Sequence, residues 1–124
     1  MHAEYLLPET ECRTDGSGPV VEAQPTQCRF TLGITEVTER DDLEVSIWGS
    51  PDGEDWGVKP LAEFPRKSAC GRYSMVVDLS QFPGVRLLRA CWRIRDWAHD
   101  ERNPQFGFYV QLAGAAEKAM TAGI

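Results

Sequence analysis

The stretch Leu43-Glu-Val-Ser-Ile-Trp-Gly-Ser-Pro-Asp-Gly-Glu-Asp-Trp-Gly57 reads as strand, tight turn and strand. Leu43, Val45 and Ile47 alternate with Glu44 and Ser46, the period of a strand with one buried face. Ser50-Pro51-Asp52-Gly53 then sets four turn formers in a row. Proline presets a backbone dihedral, aspartate bonds its own backbone, and glycine takes a positive φ without steric cost. Trp56 reopens an apolar run, so a hairpin is expected here.

The same alternation recurs on both sides of this hairpin. Cys28, Phe30, Leu32 and Ile34 share one face, with Arg29, Thr31 and Gly33 on the other. The acidic link from Glu36 to Asp42 suits a solvent-facing crossover, and the run from Pro60 to Pro65, bracketed by prolines, belongs at a sheet edge. Tyr73, Met75, Val77 and Leu79 form a further apolar face. From Val85 to Trp97, Leu88, Ala90, Trp92 and Ile94 oppose Arg89, Cys91, Arg93 and Arg95. Leu87, Leu88, Cys91 and Ile94 also fit a helical spacing, but parity sorts the arginines more cleanly, so a strand is expected. Phe106, Phe108, Val110 and Leu112 point inward in the last strand.

Seven to eight short strands with turn signals between them define an all-β chain, a single antiparallel β-sandwich of jelly-roll-like topology. An immunoglobulin-like sandwich ranks second because the Cys…Trp…Cys core spacing is missing. Residues 1–27 read as an N-terminal arm, with short edge strands at Tyr5-Leu-Leu7 and Pro19-Val-Val-Glu22. Residues 28–112 form the sandwich core, and 113–124 an alanine-rich tail suited to a short helix or a frayed end.

The chain has 124 residues, 42% hydrophobic and 26% charged, with four Trp, five Phe and three Tyr, which is core material for one domain. A net charge of −6 argues against a nucleic-acid partner, which needs a basic face. No apolar run has the length of a membrane span, and no basic start or apolar core of a secretory signal opens the sequence, so a cytoplasmic location is expected. Cys12, Cys28, Cys70 and Cys91 show no C-x-x-C pair and no histidine at ligand spacing, so neither a metal site nor a cofactor is expected. Oxidised, they allow three pairings; reduced thiols are preferred, some as small core residues.

Gly49-Ser-Pro-Asp-Gly-Glu-Asp-Trp56 resembles the G-S-x-D-G-x-x-W hairpin of discoidin-like jelly-roll domains, the fold of coagulation-factor C-type and many carbohydrate-binding domains. Leu61-Ala-Glu-Phe64 fits the strand that follows it there. The resemblance covers about 20 residues and carries over no ligand-loop residue. More broadly, the S-x-W-G-S-x-D-G-x-x-W-G pattern from Ser46 to Gly57 resembles small bacterial β-sandwich proteins of unassigned function.

Catalytic chemistry finds little support. His99 beside Asp96 and Asp100 is weighed against a solvated charged loop, and His2 lies near the terminus. The acidic turn Asp52-Gly-Glu-Asp55 lacks the ligand spacing of a calcium loop. Two features stand out. Trp48, Trp56, Trp97 and Tyr109 fall opposite the core parity, and indoles on a surface stack on sugar rings or anchor protein contacts. Arg89, Arg93 and Arg95 form a row facing the acidic stretch Glu36 to Asp55, suited to a subunit contact or an internal salt-bridge network. The sequence therefore points to a non-catalytic protein-interaction module that self-associates into a homo-oligomer through Tyr5, Leu6, Leu7 and the arginine face. A carbohydrate-binding module using the tryptophans is the alternative, and a small hydrolase comes third.

Overall fold

Nine strands in two antiparallel sheets make up the computed structural model, which describes residues 4–12, 15–23, 26–37, 41–67, 69–96 and 106–114. They are β1 (Glu4–Cys12), β2 (Gly16–Ser17), β3 (Val21–Glu22), β4 (Gln27–Val37), β5 (Asp41–Ser50), β6 (Ala62–Glu63), β7 (Gly71–Asp78), β8 (Leu87–Asp96) and β9 (Phe106–Gly114). Sheet A has the order β1-β9-β4-β7 and sheet B the order β2-β8-β5-β6. β3 also pairs with β8, beside β2, so the two short pieces act as one interrupted strand along that edge. Counted so, each sheet has four strands, and the chain crosses from sheet A to sheet B between β4 and β5.

The alternation read from the sequence fills the space between the sheets. Cys28, Phe30, Leu32 and Ile34 of β4, Leu43, Val45 and Ile47 of β5, Leu88 and Ala90 of β8, and Phe106, Phe108, Val110 and Leu112 of β9 are buried. Each large side chain of this kind contributes about 1.5–3 kcal/mol by leaving water. Phe108 meets the ring of Trp92 edge-on at 5.4 Å, which locks sheet A to sheet B.

Several expectations change. The tight hairpin is a long one: residues 51–61 separate β5 from β6, and β6 pairs only at Ser46 and Ile47. The run from Val85 to Trp97 is a strand over Leu87–Asp96, with Trp97 outside the described residues. The last strand runs on to Gly114, which takes Ala113 and Gly114 out of the expected tail.

The N-terminal segment supplies edge strands to both sheets, one of them nine residues long. Leu6 and Leu7, expected at a subunit contact, are 0% and 5% exposed and pack in the core of this chain. A register shift between Tyr5 and Leu7 explains it, because a bulge lets two successive residues turn to the same side.

Candidate binding cleft

A cleft lies on the outer face of sheet B. Residues 51–61 leave the end of β5 and fold back over this face, roofing the cleft, whose volume is about 910 Å³. Trp48, Ser46 and Glu44 from β5, Arg89, Cys91 and Arg93 from β8, and Trp56 and Lys59 from the loop line it.

The loop is built on hydrogen bonds to two side chains. Ser50 is fully buried, and its Oγ accepts from the backbone N–H of Asp52 (3.2 Å) and of Gly53 (2.8 Å). Asp52 Oδ1 accepts from the N–H of Glu54 (2.8 Å) and of Asp55 (2.9 Å), and from Ser50 Oγ (3.2 Å). Those donors hold the Asp52 carboxyl below its ordinary pKa. Gly53 takes φ 87°, a left-handed value that other residues adopt only with strain. The acidic turn weighed as a calcium loop thus caps its own backbone.

Trp56 is placed by this loop. Its Nε1 donates to the carbonyl of Gly53 at 3.1 Å, and the Arg89 guanidinium lies 4.3 Å from its ring centroid. Trp48 sits directly opposite Arg89 across the β5–β8 pair, and its Nε1 donates to Ser46 Oγ at 2.9 Å. Both indole N–H groups therefore have partners inside the protein. Arg89 Nε is buried without a hydrogen-bond partner among the described residues, a donor whose lost hydration is not repaid there.

Two residues of the arginine row stand opposite acids of β5 in the strand register. Register sets Arg93 opposite Glu44 and Arg95 opposite Asp42. From the other side, Arg66 Nε reaches Glu44 Oε1 at 3.1 Å and its Nη1 lies 3.8 Å from Asp42 Oδ2. The ion pairs here are made by Arg66, which lies outside the row of Arg89, Arg93 and Arg95. Asp15 Oδ1 closes the far end by accepting from the backbone N–H of Ile94 at 2.9 Å.

The aromatic set does not form one platform. Tyr109 belongs to the outer face of sheet A, where its ring crosses Gly33 and meets Tyr5 edge-on at 5.9 Å. Trp97, His2, His99 and Asp100 fall outside the described residues, as do the side chains of Arg95 and Asp96. Arg66 and Lys59 were not singled out by the sequence, since their approach to the cleft depends on loop paths that no periodicity encodes.

Nucleophilic chemistry gains nothing from the thiols. All four cysteines are free. Burial pushes the thiols of Cys12, Cys28 and Cys91 up, although Arg89 opposes this at Cys91. An activated thiolate needs the reverse shift. Among the described residues, no three His, Cys, Asp or Glu side chains converge on a point that suits a metal ion, and no helix is long and apolar enough to cross a membrane.

No protein-family model matches the chain, and neither does any curated protein. Among solved structures, the K3 cleaved adhesin domain of Lys-gingipain from Porphyromonas gingivalis is similar at 11% identity with a TM-score of 0.48, over 86% of this chain. The K1 cleaved adhesin domain of the same protein is similar at 10% identity with a TM-score of 0.45, over 87% of this chain. The chain spans 64% of the length of each, just under two-thirds.

Proposed function

We propose that this chain is a non-catalytic binding module and that its ligand is a glycan laid in the cleft of sheet B. The observation that carries this reading is the pair Trp48 and Trp56, whose N–H groups are both satisfied internally. Arg89 covers one face of Trp56, so the indoles offer a partner the other face of Trp56 and the ring of Trp48, and ring faces stack on the C–H surface of a sugar. Glu63, Arg93 and Lys59 surround the rings with donors and acceptors for hydroxyl groups. The resemblance of Gly49 to Trp56 to discoidin-like domains points the same way, as does the chain's winding, which suits a jelly-roll-like topology.

A protein ligand in the same cleft is the second reading, favoured by the stack of Arg89 on Trp56, two residue types enriched where binding energy concentrates.

The test is a titration of the protein with neutral and uronate-containing oligosaccharides, read by tryptophan fluorescence and calorimetry. Trp56→Ala and Trp48→Ala are each expected to weaken binding at least about tenfold, the loss of one stacking contact of ~1.4 kcal/mol or more, with the circular dichroism spectrum unchanged. A blank response across both sugar classes would sink the glycan reading.

A further inference from the structure

Three of the four sheet edges carry devices that prevent pairing with another chain, and one does not. β1 has two register shifts and Pro8, the β2–β3 edge is interrupted by Gly18 and Pro19, and β6 is two residues long with Pro60 and Pro65 close by. β7 pairs with β4 through eight consecutive residues without a shift, and it contains no proline. Among the described residues, nothing pairs with its other side. Its core-facing Tyr73, Met75 and Val77 stay half-exposed, and Val76 on the outer face is 53% exposed.

We propose that β7 is the contact through which two copies of this chain join, antiparallel about a two-fold axis through Met75. The inner and outer faces of two such sheets continue into one another only if residues of like parity meet, which restricts the register. Centring the axis on Met75 sets Arg72 opposite Asp78 of the second copy, twice, and Val76 opposite Ser74. Tyr73 and Val77 then cover each other on the core side. Moving the axis by one residue of the outer face in either direction loses both Arg72–Asp78 pairs. Charge complementarity thus selects a second copy in this one register, and the product is a continuous eight-stranded sheet with isologous symmetry. The contact lies on sheet A and is independent of the cleft.

Sedimentation velocity of the full chain over a concentration series is expected to move from 13.9 kDa toward twice that mass. Arg72→Asp sets two acids opposite each other twice, and Asp78→Arg does the same with two cations. Each alone is expected to weaken the dimer at least about tenfold, since like charges directly opposite are destabilising. Mixing the two variants restores both pairs, and a heterodimer as tight as the wild-type dimer is expected. Circular dichroism of each variant checks that it folds, which matters at Asp78 because its carboxylate also accepts from Ser80 N at 3.0 Å. A wild-type chain that stays at 13.9 kDa at every concentration would overturn the proposal. So would a mixture of folded variants that remains monomeric, or a dimer that appears only after removal of residues 115–124, which would make those residues the occupant of the edge.

Discussion

The outer faces of the two sheets start from the same period-two pattern and end as different surfaces. On sheet A, small and polar side chains satisfy one another in place. Thr31 Oγ1 and Ser74 Oγ lie 2.9 Å apart, and the ring of Tyr109 lies flat across Gly33, where a Cβ would come within 2.1 Å of it. On sheet B, the register sets charged residues opposite one another across the strands, and an eleven-residue connection, 51–61, folds back over them. A flat face becomes a cleft through the length and capping of one loop. The strands supply the floor, and the residues that give the floor a use arrive from outside the pattern.

The largest expected effect concerns the side that the comparison treats as structural. Leu6 is fully buried in β1, so Leu6→Ala should cost about 2–5 kcal/mol, the range for a large-to-small change in a packed core. Urea unfolding should show a lower midpoint with an unchanged slope. Stability that holds while the solution mass drops would mean that β1 is exchanged between subunits, contrary to its place here.

How the sequence revealed some of this and hid the rest follows from the same contrast. Phe30, Leu32 and Ile34 keep strict parity because β4 pairs on both sides without a shift over those residues, and Phe106, Phe108 and Val110 keep it because the extra residues at the register shifts lie in β1 and β4 rather than in β9. Period-two reading works there. Leu6 and Leu7 break parity at a bulge, so they read as an apolar arm when they are core. Trp56 read as the opening of a strand, because a tryptophan after a turn former looks like a hairpin's return. The hydrogen bonds of Ser50 and Asp52 hold it in a loop instead. Its stack on Arg89 joins residues far apart in the chain, and no local signal announces such a contact.

An intermediate effect tests whether the two faces are functionally separate. Tyr109→Ala removes the edge-on contact with Tyr5 and uncovers Gly33. The aromatic pair alone is worth about 0.5–1.5 kcal/mol beyond its buried area, so thermal unfolding should shift by a few degrees. The oligosaccharide response should stay as in the wild type. A lost response would place the ligand on sheet A and undo the assignment of the cleft.

The smallest effect is a local one, and it is set by pH. Asp52 is the acceptor on which the roof of the cleft turns, first through the N–H of Asp55 and then through that of Glu54. These bonds favour the ionised carboxylate in the folded chain only, so its folded pKa lies below the ordinary 3.8. A carboxyl depressed in this way contributes stability that is fully present above the unfolded value and is lost as pH falls through the folded one. Its exposure to solvent keeps the contribution small, and global unfolding is not expected from it. The consequence is confined to the loop: protonation weakens the two caps, Gly53 gains freedom, and the Trp56 indole bonded to the Gly53 carbonyl moves with it. Tryptophan fluorescence should therefore hold steady from neutral pH down to the ordinary carboxylate value of 3.8 and change below it, as Asp52 takes up its proton. Asp52→Asn keeps an acceptor oxygen in the same place and removes the ionisation. That variant should hold much of the loop's order at neutral pH, bind oligosaccharide a few-fold more weakly, and lose the acid transition in fluorescence. An acid transition of the same size in Asp52→Asn would assign it to another carboxylate, Asp78 first, since Ser80 depresses that group in the same way on the far sheet.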